Sequence, residues 1–187
     1  MRDNLDESCN VLIRTIDLIT GETLHERLGH NVWTNTGREY SAGVKTYQEN
    51  RTPLRNDRIC YVGLGSGTQP ETVNVQRLVT PIQFSAGKFL NEINHARTSF
   101  QSVSGVRTAV RYSCIFERQH INIGGENTVL ISECGLFTDG DLLTFAVGGR
   151  STMIGESLSQ SPIAYHSFDP IPKTPNVQLD IIWELRH

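Results

Sequence analysis

The chain has 187 residues and a formal net charge of −3, with acidic and basic side chains mixed along its length. That length fits one large domain, or one domain with arms, and is enough to bury a sizeable core. The mixed charge gives no electrostatic footprint for nucleic acid, no run of about 18 apolar residues is present to span a membrane, and the polar start MRDNLDESCN is not a secretory signal.

Residues 1–10 read as a polar arm, and residues 11–187 as a single domain. Residues 11–19 (VLIRTIDLI) are rich in β-branched side chains. Thr20-Gly21-Glu22 then supplies a turn, and residues 23–28 return as the second strand of a hairpin. In HNVWTNTGREYSAGVKTYQ, Asn35 or Thr36 is expected to cap a helix, because a side-chain oxygen there accepts from an otherwise unpaired N–H. Tyr40, Val44 and Tyr47 follow at the spacing of one helical face. Residues 50–57 read as a polar loop, 58–64 as a strand and 71–78 as a short helical turn. Residues 79–84 and 88–95 read as two strands around Ser85-Ala86-Gly87.

The two clearest strands come later. Thr108, Val110, Tyr112, Cys114 and Phe116 alternate with a mainly polar set, and so do Val177, Leu179, Ile181, Trp183 and Leu185. A period of two puts one face on a core and the other in water, as antiparallel sheets do. Residues 128–137 and 142–147 are joined by Thr138-Asp139-Gly140-Asp141, a hairpin signal through Asp-Gly. Residues 148–162 form a long polar, glycine-rich loop. Many short strands, frequent turn signals and one helix predict a mainly β fold: an antiparallel β-sandwich with one helix packed against it.

The run YVGLGSGTQP invites a phosphate-cradle reading through Gly63, Gly65 and Gly67. No Lys follows it, position 68 is Thr where a dinucleotide fingerprint needs Gly, and the surroundings are not βαβ. The plainer expectation is a structural turn, with glycines permitting positive φ where a strand ends. Cys9, Cys60, Cys114 and Cys134 form no CxxC pair and keep no ligand spacing from His, so no zinc site is expected. They read as reduced thiols, made inside a cell. The six histidines are scattered and no nucleophile elbow is present. No catalytic residue, metal or cofactor is therefore assigned, and the chain is not expected to be an enzyme. Glu133 follows Val129 and Ile131 on one strand. It is either an acid in a semi-apolar place or, the favoured reading, a carboxylate that accepts from backbone N–H groups.

Taken in order, four blocks resemble a group of tailed-bacteriophage virion structural proteins, the small tail, baseplate or neck-region proteins often described as tail-fibre-like. HNVWTNTGREY is similar to that group's TxxG(R) helix start, and YVGLGSGTQP to its hydrophobic-GxGxxxP segment. ISECGLF is similar to its (I/V)xExGLF strand. FDPIPKT is followed by the alternating strand ending IIWEL. The blocks span about residues 30–185; Cys134 stands where a branched aliphatic is usual, and the loop at 148–162 is long for the group. The resemblance implies a virion component, made in the host cytoplasm. It would assemble as a threefold or sixfold homo-oligomer and dock other virion proteins, with no nucleic acid or membrane partner. Contacts are expected from Arg2, Asn4 and Leu5 in the arm, from Ser151, Met153, Ile154, Glu156 and Leu158 in the loop, and from Phe168, Pro170 and Pro172. Pro170, Pro172 and Pro175 would stiffen an edge and block mispairing. The alternatives are a head-decoration or head-completion protein and a carbohydrate-binding module that offers Trp33, Tyr47, Tyr61 and Tyr165 to a glycan.

Overall fold

The hairpin forms where the sequence places it. β1 (Cys9–Asp17) and β2 (Thr23–His30) pair antiparallel around a turn in which Gly21 has φ +75° and the Asp17 carboxylate accepts from the N–H groups of Ile19 and Thr20. β1 begins at Cys9, so the domain starts inside the expected arm. The computed structural model describes residues 9–45, 58–85, 88–103, 106–122, 128–138 and 161–186. The remaining strands are β3 (Val32–Trp33), β4 (Ile59–Gly65), β5 (Leu90–Glu92), β6 (Ser99–Val103), β7 (Val106–Phe116), β8 (Val129–Thr138), β9 (Ala164–Lys173) and β10 (Val177–Arg186).

They make two five-stranded sheets, ordered β2-β1-β10-β7-β6 and β3-β9-β8-β4-β5, with every pairing antiparallel. The first and last strands lie side by side, in register from Cys9↔Leu185 to Asp17↔Val177, so the first sheet closes only when both ends of the domain are in place. Val11 and Ile13 of β1, Cys114 and Phe116 of β7 and Leu179, Ile181, Trp183 and Leu185 of β10 turn inward. They meet Val62, Leu64, Ile131, Cys134, Leu136, Ala164 and Ile171 of the second sheet in one core. This is the expected antiparallel β-sandwich, with one α-helix among the described residues. Cys60, Cys114 and Cys134 are buried and form no disulfide among the described residues.

The helix α1 (Asn35–Lys45) starts one residue earlier than its expected cap allows. Thr34 is the cap, not Asn35 or Thr36: its hydroxyl accepts from the Gly37 N–H at 3.1 Å and donates to the carbonyls of Pro162 and Ile163. Asn35 instead donates to the Asn74 side chain at 2.9 Å. Tyr40 packs against the core, whereas Tyr47 and the side chain of Val44 lie outside the described residues.

Residues 71–78 hold no helical turn. They are irregular, with Val75 and Leu78 buried and a turn closed by the Val75 N–H on the Thr72 carbonyl. Residues 79–84 make only an isolated bridge, Gly65↔Pro81, instead of a strand. Of residues 88–95 only β5 is strand, and a 3₁₀ turn at His95–Arg97 follows it. The expected strand at 142–147 lies outside the described residues. So do Arg2, Asn4, Leu5, Ser151, Met153, Ile154, Glu156 and Leu158.

Candidate functional site

Alternation along the second sheet sends Val62, Leu64, Cys134 and Leu136 to the core, and the residues between them to the opposite face. On that outer face Gly65 lies opposite Glu133, Gly63 opposite Gly135, and Tyr61 opposite Phe137. Tyr165 of β9 lies beside Gly135. A second, smaller apolar cluster covers this face: Val75, Leu78, Leu90, Phe137 and Tyr165.

The cover is the chain that leaves β4 at Gly65 and returns at Pro81. Its two ends are tied together, because the Ser66 N–H donates to the Thr80 carbonyl and the Ile82 N–H to the Leu64 carbonyl. A compact excursion with joined ends is an Ω-loop. Glu133 fastens its returning limb. The carboxylate is fully buried; Oε2 accepts from the Val79 N–H at 3.1 Å and from the Tyr165 hydroxyl at 3.0 Å, and Oε1 from the Thr80 N–H at 3.0 Å. Ser132 holds the outgoing limb, donating to the Gly67 carbonyl at 2.8 Å.

The glycine run is what admits this carboxylate. A Cβ on Gly65 would stand 2.2 Å from Glu133 Oε1, and one on Gly67 would stand 2.4 Å from the Val79 Cβ and 3.0 Å from Oε1. A Cβ on Gly63 would press on Leu90, Phe137 and Leu78. The expected structural turn with positive φ is thus corrected. Gly63 and Gly65 are inside β4, and Gly21 is the one described glycine with positive φ. These glycines give room, not unusual torsions. Three donors reach the two buried oxygens, so neither is left unpaired, and two of the three are backbone N–H groups, the role favoured from the sequence. Burial, then the neighbouring Glu133 charge, pushes the Tyr165 hydroxyl above its ordinary range, so it stays a donor.

Two further polar sites flank it. At the edge of β9, Glu71 Oε1 accepts from the Ser167 N–H at 2.7 Å and pairs with His166 Nδ1 at 2.7 Å. Burial pulls His166 below its ordinary range, against the opposing pull of Glu71. Gly29 of β2 lies directly on this ring, since a Cβ there would stand 2.3 Å from Nε2. Lys173 is fully buried, and its Nζ donates to the Thr174 carbonyl at 3.0 Å and to Asn122 Oδ1 at 3.4 Å. Burial lowers its pKa to about 8.

Of the predicted contact residues, Phe168 is half-buried against the core and stacked on His166, while Pro170 and Pro172 are exposed on the edge of β9. Of the aromatics offered to a glycan, Tyr165 is fully buried, and Trp33 and Tyr61 are partly buried against the two clusters. Tyr47 lies outside the described residues. Sequence reading missed Thr34, Glu71, His166 and Lys173. For Thr34 a signal was present, the Thr-x-x-Gly spacing of a cap and its third helical residue. The other three show their roles only once distant strands are paired. The fold thus defines an antiparallel sandwich with a pinned Ω-loop. Comparison with known proteins gave no matching family model, no matching curated relative and no matching solved structure.

Proposed function

We propose that this chain is a structural component of a tailed phage particle, a tail, baseplate or neck-region protein that assembles as a symmetric oligomer and docks other virion proteins. The observation that carries the proposal is the way the resembling blocks contact one another. Thr34 of the first block bonds the Ile163 carbonyl, and the Ile163 N–H bonds the Leu136 carbonyl of the third. Gly65 and Gly67 of the second accommodate Glu133 of the third. The fourth supplies Ile171, which pairs opposite Ile131 of the third, and β10, which carries the core. Residues that resemble the group in sequence are therefore those that hold one scaffold together, as a shared fold requires. Both oxygens of the buried Glu133 carboxylate are occupied by donors of the fold itself, which suits a structural role.

The test is a count of copies. Quantitative mass spectrometry of purified particles from the source phage is expected to find the chain at a multiple of three or six per particle. Its absence from washed particles would remove the virion reading. Binding of the isolated protein to a glycan array would favour a sugar-binding module instead.

A further inference from the structure

Two sheets present four edges, and the chain treats them differently. In the second sheet one edge is β5, three residues long. The other is the two-residue β3 followed by the open flank of β9, where Pro170 and Pro172 supply no N–H and Glu71 takes the Ser167 N–H. In the first sheet β6 is five residues long and bulged between Gln101 and Ser102. These are the usual devices that stop a foreign strand from adding to a sheet. β2 carries only one of them, a bulge near its start where the register against β1 shifts between Thr15 and Ile16, and from His25 to His30 its pairing is regular. It runs for eight residues without Pro or Lys, and no strand among the described residues pairs with its outer side. Leu28, 72% exposed, stands two residues before its end, inside the regular part.

We propose that β2 pairs antiparallel with β2 of a second copy of this chain, about a two-fold axis at Leu28. The axis position follows from which side chains each register opposes. Centring on Glu26 sets Glu26 against Glu26, and centring on Arg27 sets Arg27 against Arg27, and like charges directly opposite destabilise a sheet. Centring on Gly29 leaves Leu28 opposite His30. Centring on Leu28 places Leu28 against its own copy, Glu26 against His30 on both sides, and Arg27 against Gly29, which has no side chain to obstruct the guanidinium. On the outer face Leu28 already lies beside Leu12, and Leu12 beside Ile182. The pairing therefore joins two short apolar rows into one that crosses a ten-stranded sheet. Along the row stand Arg14–Glu26 at 2.7 Å on one side and Glu184 between Arg111 and Arg186 on the other. A self-complementary patch of this kind is what a two-fold contact needs.

The assembly reading above gives this contact a use, but its chemistry does not depend on that reading. The test is cross-linking of the full chain in a Cys9→Ser background, where the remaining described thiols are buried. Opposed residues of an antiparallel pair have Cα atoms about 4.5–5.5 Å apart, within disulfide reach. Leu28→Cys is therefore expected to give a disulfide-linked dimer under mild oxidation, and Glu26→Cys alone is not. Glu26→Cys mixed with His30→Cys is expected to give the mixed disulfide. Ile19→Cys, at the exposed hairpin tip, measures random collision. Sedimentation should find the wild-type chain dimeric. Leu28→Lys should weaken the dimer roughly a hundredfold by losing two buried leucines, with the circular dichroism unchanged. A wild-type chain that sediments as a monomer, or Leu28→Cys that cross-links no faster than Ile19→Cys, overturns the contact. Absence from particles together with a Leu28-linked dimer removes the virion reading alone.

Discussion

Glu133 can be buried as a carboxylate because three donors reach it and two glycines leave space for it. Those two conditions separate experimentally. Gly65 has no positive φ, so alanine there meets no backbone penalty, only the Glu133 side chain, whose Oε1, Cγ and Cδ would lie 2.2, 2.7 and 2.8 Å from its Cβ. Gly65→Ala is expected to cost about 2–3 kcal/mol, in the range for overpacking a buried site. Glu133→Ala should cost a similar amount by stranding the Val79 and Thr80 N–H groups. The double variant should cost about 1 kcal/mol less than the sum, because removing the carboxylate removes the clash. Urea denaturation of the four proteins measures this, and strict additivity would show that the glycine and the carboxylate are not coupled. Lys173 gives a pH-dependent case. Its folded pKa is about 8 against 10.5 for an ordinary lysine. Between those values the unfolded chain binds more protons, so stability rises with pH through that window, and the full burial penalty persists below it. Lys173→Met is therefore expected to exceed wild type in urea midpoint at pH 7 by more than at pH 9.5. An equal difference at both pH values would mean that the amine is not desolvated as the fold implies.

At the scale of elements, what the sequence made legible was alternation and turns. β7 and β10 read correctly because their inward residues repeat every second position, and the β1–β2 hairpin because the turn Thr20-Gly21-Glu22 follows a β-branched run. The Ω-loop was not legible. Val75 and Leu78 have a spacing that suits a helix, but they are buried because a covalently distant face of β8 and β9 needs covering. Glu133 showed its type of role but not its partners, since Val79, Thr80 and Tyr165 reach it only after three strands and a loop have come together. The helix start lay between these cases. Thr34 and Gly37 have the spacing of a cap, yet the reason for glycine is tertiary: a Cβ at position 37 would collide with the Ile163 carbonyl oxygen. That neighbour is backbone, held by its own N–H on the Leu136 carbonyl, and cannot swing aside. Gly37→Ala should therefore destabilise more than Gly65→Ala, whose obstacle is a side chain, Glu133, rather than backbone. Thr34→Ala should cost about 1–2 kcal/mol, with Thr34→Ser restoring most of it. Thermal melts of the four variants check the order. Equal losses for the two glycine variants would mean that the helix start can shift away from Ile163.

The whole molecule is two sheets whose edges have opposite treatments, and the prolines predicted to stiffen an edge lie on one of them. Pro172 stands opposite Leu130, itself 54% exposed, on the flank of β9 that β3 leaves uncovered. Replacing Pro170 and Pro172 with threonine gives that flank two N–H groups and two β-branched side chains, both of which favour strand addition. The second sheet then has an open edge of its own, on the far side of the corner where Arg27 of β2 meets Asp169 of β9 at 3.2 Å. A chain with one open edge closes as a pair, whereas a chain with two can propagate. The double proline variant is therefore expected to grow beyond the wild-type assembly with rising concentration in light scattering. Adding Leu28→Lys should return it to a limited size by closing the first edge. If the proline variant scatters like wild type, the prolines serve only the conformation of β9. If it propagates and Leu28→Lys has no effect, growth runs through β9 alone and the two edges act independently.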